Sequence, residues 1–321
     1  MKWIKRIALA LGALVLVALI GGALVADLGY HALRSAPRIE HDEVSGLDGG
    51  VRVMIQMDHA KDMMLETLKG KAPNFPPSLM DRVLPYEVTL RTAPETAENA
   101  VGVTLYINER RLGPAIAKAV PEGIGKARKT GIEWAKGPMQ SPKRGELLLN
   151  GAVPLDKHTL DTMAARWGET QLGSPLPMEK THFIEMRCDN RDGALYAFVS
   201  SLVALRIAEA GGKPNLGQIM ARQGLDKYMR DISDVHVAGD LTPEGGMTLT
   251  LTVECSQDCQ ENTPKDVYTM VDTGYAQIAA LAARSNVQVE GETVLEGFTV
   301  RGNYATNDIR ALAPLISGAI P

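Results

Sequence analysis

The chain has 321 residues, 45% hydrophobic and 22% charged, with a formal net charge of -4. That composition excludes a disordered polyelectrolyte, a collagen-like chain and a disulfide mini-protein. The balance of 34 Lys+Arg against 38 Asp+Glu argues against a dedicated nucleic-acid binder, and the length suffices for one large domain or two of ordinary size.

Residues 1–6 form a basic end carrying Lys2, Lys5 and Arg6. The next twenty residues, Ile7 to Ala26, hold no charge. As a helix, such a run reaches about 30 Å, the thickness of a hydrocarbon core. Residues 7–27 are therefore expected to be a transmembrane signal anchor. Its basic flank would stay inside the cytoplasmic membrane, leaving residues 28–321 in the periplasm or outside the cell. The rival reading is a cleaved signal peptide. Gly21, Gly22 and Ala23 make a poor cleavage site, and Leu24 is too bulky to start a better one. No cysteine follows the run that could carry a bacterial lipid anchor. Residues 28–48 are polar and weakly periodic, and read as a juxtamembrane linker in which His31 and His41 are solvated.

The remainder reads as one pattern used twice, over residues 49–172 and 173–321. Val51–Met57 is strand-like, Asp58 is a plausible helix cap, and Met63, Met64, Leu65 and Leu68 follow. His182–Cys188 is likewise strand-like, with Asp189 and an apolar helix Ala194–Ala210 after it. Tyr86–Thr92 and Val101–Ile107 form a hairpin across a turn-prone segment, matched by Val235–Leu241 and Met247–Val253. A helix over Arg110–Ala135, interrupted by Pro121, Gly123 and Gly125, corresponds to a helix over Asp266–Arg284. For the latter, Thr263 can cap and Pro264 suits the first turn. Leu147–Gly151 aligns without gaps on Phe298–Gly302, and each is followed by a helix, capped by Asp156 or by Thr306 and Asn307. The second copy has an extra helix, Leu216–Arg230. The order β-α-β-β-α-β predicts an α+β protein: a tandem ferredoxin-like (split βαβ) unit with strands one and three as parallel neighbours, plus a terminal helix.

Chemistry-bearing residues are sparse. Cys188, Cys255 and Cys259 are three cysteines in a chain expected to be exported, which suggests one disulfide and one spare thiol. The split-βαβ plan would cluster them. Cys255–Cys259 closes a short loop; Cys188–Cys255 and Cys188–Cys259 are alternatives, and a redox or zinc role is weaker still, because Glu254 and Asp258 disfavour a thiolate. Met54, Met57 and His59 offer a weak copper(I)-type donor set, but 14 Met beside 4 Phe points to core filling. Pro121–Thr130 lacks the spacing of a phosphate loop. His158, His182 and His236 read as isolated, structurally satisfied histidines. No cofactor is expected.

Charge is unevenly spread. Lys118 to Arg144 carries seven Lys/Arg and two Glu, whereas Glu254 to Asp308 carries nine Asp/Glu and three Lys/Arg. Lys126, Arg128, Lys129, Lys136, Lys143 and Arg144 form a candidate surface for an acidic envelope protein or anionic lipid, with homo-oligomerisation also open. The sequence thus favours an envelope-tethered binding or scaffold protein without a catalytic site. The alternatives are a carrier of a small apolar ligand, and an exported redox or metal protein using the three cysteines.

Overall fold

The computed structural model describes residues 50–63, 65, 87–95, 100–108, 133–134, 146–167, 181–191, 193–209, 223 and 226–312. They build a mixed α+β fold around one large antiparallel sheet. The strands are β1 (Val51–Gln56), β2 (Glu87–Glu95), β3 (Ala100–Asn108), β4 (Glu133–Trp134), β5 (Glu146–Pro154), β6 (Ile184–Asp189), β7 (Ile232–Leu241), β8 (Met247–Cys255), β9 (Val289–Glu296) and β10 (Thr299–Thr306). The long helices are α1 (Lys157–Trp167), α2 (Ala194–Glu209) and α3 (Thr263–Ala283).

The ten strands run in the order β4-β5-β3-β2-β1-β6-β7-β8-β10-β9. That order reads the same outward in both directions from the β1–β6 pair. From this seam the ladder positions run Val53, Leu90, Leu105, Leu149 on one side. On the other they run Met186, Val237, Leu251, Gly302. Every pairing among the described strands is antiparallel, which corrects the split-βαβ expectation. β3 does not lie beside β1. It pairs with β2 and β5, and the edge of β1 that it was expected to occupy is taken by β6 from the other half. A strand has two edges only, so the cross-half ladder excludes the parallel neighbour.

The alternation of side chains along each strand sorts the sheet into two faces. Val51, Val53 and Ile55 face the helices, with Val88, Met186, Val235, Val237, Val253 and Val300, in one continuous apolar core. Each such side chain, once buried, contributes about 1.5–3 kcal/mol. The first eight residues of α2, from Ala194 to Ser201, are buried on all sides. This helix lies across the middle of the sheet, with α1 and the turn at Met229–Asp231 packed against it. At the far end α3 packs on β9 and β10. There Tyr275 stacks on Tyr304 with ring centroids 5.0 Å apart.

Capping differs in detail from the sequence reading. Asp156 does cap α1, accepting from the Thr159 N–H at 2.9 Å. Asp58 falls inside the 3-10 turn Met57–Ala60, whose N-cap position is Gln56. At α2 the cap comes from a residue the sequence did not single out. The Asn190 side chain accepts from the Tyr196 N–H at 2.9 Å and donates to the carbonyls of Met229 and Ile232. Gly193 follows at φ +82°, where a Cβ would also stand 2.8 Å from the Trp167 ring. Asp308, rather than Thr306 or Asn307, accepts the N–H groups of Arg310 and Ala311 at the last described turn. Two strands, β4 and β9, were not expected. The helix predicted over Arg110–Ala135 lies outside the described residues except at its end, where Glu133–Trp134 is strand β4 paired with β5 and not helix; the segments before Gly50 also lie outside them. So does most of the predicted helix Leu216–Arg230, whose end is described as helix at Asp226–Tyr228 and a short 3-10 turn at Met229–Asp231.

Gly50 opens β1 where α2 begins. A Cβ there would meet the Ala194 Cβ at 1.9 Å and the Asp189 carbonyl at 3.0 Å. Gly50→Ala is expected to cost about 1–3 kcal/mol by forcing α2 off the seam, measurable as a fall in the urea midpoint without a change of slope.

Candidate functional site

The face of the sheet opposite the helices is polar at its centre. Arg52, Met54 and Gln56 of β1 share it with Glu87 and Thr89 of β2, Glu185 and Arg187 of β6, and Asp234 and His236 of β7. Glu87 is 2% exposed, while Met54, Thr89 and Glu185 are fully buried. These are polar and ionic groups at core depth, outside the main apolar core. Thr89 donates its hydroxyl to Glu87. One Glu185 oxygen, Oε1, accepts from Arg187 Nε at 3.3 Å and lies 3.0 Å from His236 Nε2. Among the described residues the other, Oε2, has no hydrogen-bond partner, and neither does Arg52 Nε or Gln56 Nε2. Burial pulls the Arg52 guanidinium below its ordinary pKa, and the Glu87 and Glu185 carboxylates oppose that pull.

This layer is held by charge pairing at low dielectric, so its members are interdependent. Removing one partner of such a group leaves the others buried without compensation. Glu185→Ala is expected to destabilise by about 3–5 kcal/mol, and Arg187→Ala by less, because that side chain is 26% exposed. Denaturant titration of both variants checks the order.

One end of the layer is a row of three carboxylates, Asp189, Asp234 and Glu254, on adjacent strands. Arg191 neutralises Asp189 through its Nε at 3.0 Å and its Nη2 at 2.5 Å. Asp234 titrates above the ordinary carboxylate range, first because it is buried and then because Glu254 and Asp189 face it. Arg187 and His236 oppose the shift. The folded state therefore binds the Asp234 proton more tightly than the unfolded chain does. Its contribution to stability is full below the unfolded pKa and is lost as pH rises through the folded one. Asp234→Asn is expected to raise the melting temperature at neutral pH. The gain should shrink to nothing in acid, and a pH series of melting curves checks both limits.

Of the histidines in the described part, His158, His182 and His236 each meet a carboxylate remote in sequence. His158 Nε2 lies 2.9 Å from Asp226, which also accepts the Tyr196 hydroxyl at 2.6 Å. His182 Nδ1 lies 2.8 Å from Asp240, and His236 meets Glu185. The His158–Asp226–Tyr196 chain ties α1, α2 and the 226–228 turn together. Burial and Asp226 push the Tyr196 phenol up to about 12, so it remains a donor. These partners were invisible in the sequence because 68, 58 and 51 residues separate each pair.

The cysteines do not form one cluster. Cys188 pairs across the ladder with Val235 on β7, and β7 separates it from Cys255 on β8. Cys188 is fully buried, and burial drives its thiol pKa far up. Cys255 belongs to the helix-side core, and Cys259, four residues on, packs against that same core. All three are free thiols. Met54, Met57 and His59 are likewise dispersed. Met54 lies in the polar layer, Met57 sits in the helix-side core, and His59 is exposed. Among the described residues no group of His, Cys, Asp or Glu is arranged to hold a metal ion, and no helix is long and apolar enough to cross a membrane. The basic residues Lys126, Arg128, Lys129, Lys136, Lys143 and Arg144, the anchor 7–27, and His31 and His41 all lie outside the described residues. An open cleft of about 480 Å³ runs between the end of α3 and β9, with Ala279, Ala283, Val287 and Val289 among its lining.

No family model matches the chain, and no curated protein matches it. A solved structure titled "Structure of crystal form I of TP0453" resembles it with a TM-score of 0.37 and 12% identity, over 88% of this chain and 100% of that one. A likeness that loose carries no argument about site or function.

Proposed function

We propose that this chain is an envelope protein, tethered by residues 7–27 and presenting a duplicated α+β domain to an acidic partner protein. The observation that carries the reading is the face of β8, β9 and β10 that none of the described helices covers. It is a broad, solvent-facing sheet surface with Thr248, Thr250, Glu290, Glu292, Arg301 and Asn303 exposed. A sheet whose opposite face is filled by helices leaves that surface available for recognition, and its polar, charged composition suits a reversible contact. The symmetric strand order supports descent of the two halves from one unit, with residues 49–172 and 173–321 as the copies. The charge asymmetry of the sequence supports Lys126, Arg128, Lys129, Lys136, Lys143 and Arg144 as the second recognition element, matched to an acidic surface.

Reversal of those six residues to Glu in the full chain tests the reading. In-cell cross-linking is expected to lose the captured partner protein by at least about tenfold, with the chain still in the membrane fraction. An unchanged set of cross-linked proteins overturns it. Retained protein partners with lost binding to vesicles of anionic lipid would assign the surface to the bilayer instead.

A further inference from the structure

We propose that Cys255 and Cys259 are a paired modification site, a dithiol in which Cys259 attacks and Cys255 resolves, converted to an intramolecular disulfide by a disulfide-bearing oxidant. The inference is independent of the membrane tether and of the acidic partner.

Position and burial carry it. Cys255 ends β8, is 5% exposed, and is held by its N–H donating to the Phe298 carbonyl at 2.9 Å. Cys259 is partly exposed and sits four residues on, in the turn that leads to α3. That turn is pinned in place. The Ser256 N–H donates to the Asp231 carbonyl at 2.8 Å, the Cys259 N–H to the Ser256 carbonyl at 3.1 Å, and the Thr263 hydroxyl to Asp231 Oδ2 at 3.1 Å. The turn folds Cys259 back against the same apolar core that holds Cys255, so both side chains lie on one side of the sheet and a bridge would close only a short loop.

The division of labour follows from access. Only Cys259 is open to an incoming oxidant. Cys188 is two strands away with no exposure and cannot serve as the resolving thiol. Burial and the nearby Asp231 and Asp258 hold the Cys259 thiol above its ordinary pKa, so the attack is slow at neutral pH and quickens with alkalinity.

The step balances. Cys259 releases its proton to solvent, and its thiolate attacks one sulfur of the oxidant. The oxidant's S–S bond breaks, and the departing thiolate takes up a proton. Cys255 then gives up its proton and attacks the Cys259 sulfur of the mixed disulfide, expelling the second thiolate, which is protonated in turn. Two protein thiols are oxidised to one disulfide, and the oxidant's disulfide is reduced to two thiols.

The test uses the full chain, reduced and then exposed to glutathione disulfide, with mass spectrometry at intervals. The wild-type chain is expected to become two hydrogens lighter, with a Cys255–Cys259 bridge and no lasting adduct. Cys255→Ser should accumulate one glutathione adduct on Cys259, and Cys259→Ser should give neither bridge nor adduct over the same time. Limited alkylation of the reduced wild-type chain needs no substitution, and should label Cys259 at least about tenfold faster than Cys255 or Cys188. A bridge that includes Cys188, no adduct on Cys255→Ser, or alkylation of Cys255 as fast as Cys259 would each overturn the proposal.

Discussion

The antiparallel ladder between Val51–Gln56 and Ile184–Asp189 is the contact on which the other parts of this molecule depend. Each half alone would be a strand meander with an exposed edge at β1 or β6, and an exposed edge invites pairing with other chains. Joining the two edges turns them into one sheet. The ladder is closed at one end by the Gln56 N–H donating to Phe183 and at the other by the Asp189 N–H donating to Gly50. It is buried on both faces, by α2 over Val51, Val53 and Ile55, and within the charged layer at Met54 and Glu185. The close passage of α2 at Gly50 is what lets the helix bridge the join.

The charged layer acts on the same ladder from the other side. Side chains alternate with period two, so a slip of one residue exchanges the faces of a strand. Such a slip would turn Arg52 into the apolar core beneath α2 and set Val53 against Glu185. The cost of an unpaired buried charge makes that arrangement untenable. The layer therefore specifies register even where its net stabilisation is small, as is common for buried ion pairs. Its three orphaned atoms, Arg52 Nε, Gln56 Nε2 and Glu185 Oε2, lie along neighbouring positions of β1 and β6.

Contacts remote in sequence fasten the helices to this frame. His158, Asp226 and Tyr196 join α1 and α2 to the turn before β7. Asp231 joins that same region to the loop carrying Cys259 and to the start of α3. The thiol pair consequently sits at a junction of β8, α3 and the 229–231 turn, where a covalent link would hold elements that hydrogen bonds already bring together.

The hairpin of β2 and β3, the strands β7 and β8 and the helix α3 were legible from residue pattern alone. Apolar periodicity, turn residues and caps such as Asp156 and Pro264 are local signals, and local signals survive without a fold around them. β9 escaped because VEGETVLE alternates glutamates with small and apolar residues at an exposed edge, a pattern that also fits a polar loop. Beyond the two hairpins, β2 with β3 and β7 with β8, the pairing of the strands was not legible. Hydrophobic alternation says which side of a strand is buried but not which strand lies beside it, and so the β1–β6 seam displaced the expected parallel neighbour β3. The same ignorance of neighbours misplaced Cys188 with Cys255 and Cys259, and hid the carboxylates behind His158, His182 and His236. Composition, compartment expectation and element order are thus properties of the one-dimensional chain. Strand partners, the buried Arg52–Glu185–His236 layer and the placing of Cys255 and Cys259 on one core arise only when distant segments compete for the same edges and faces of a single sheet.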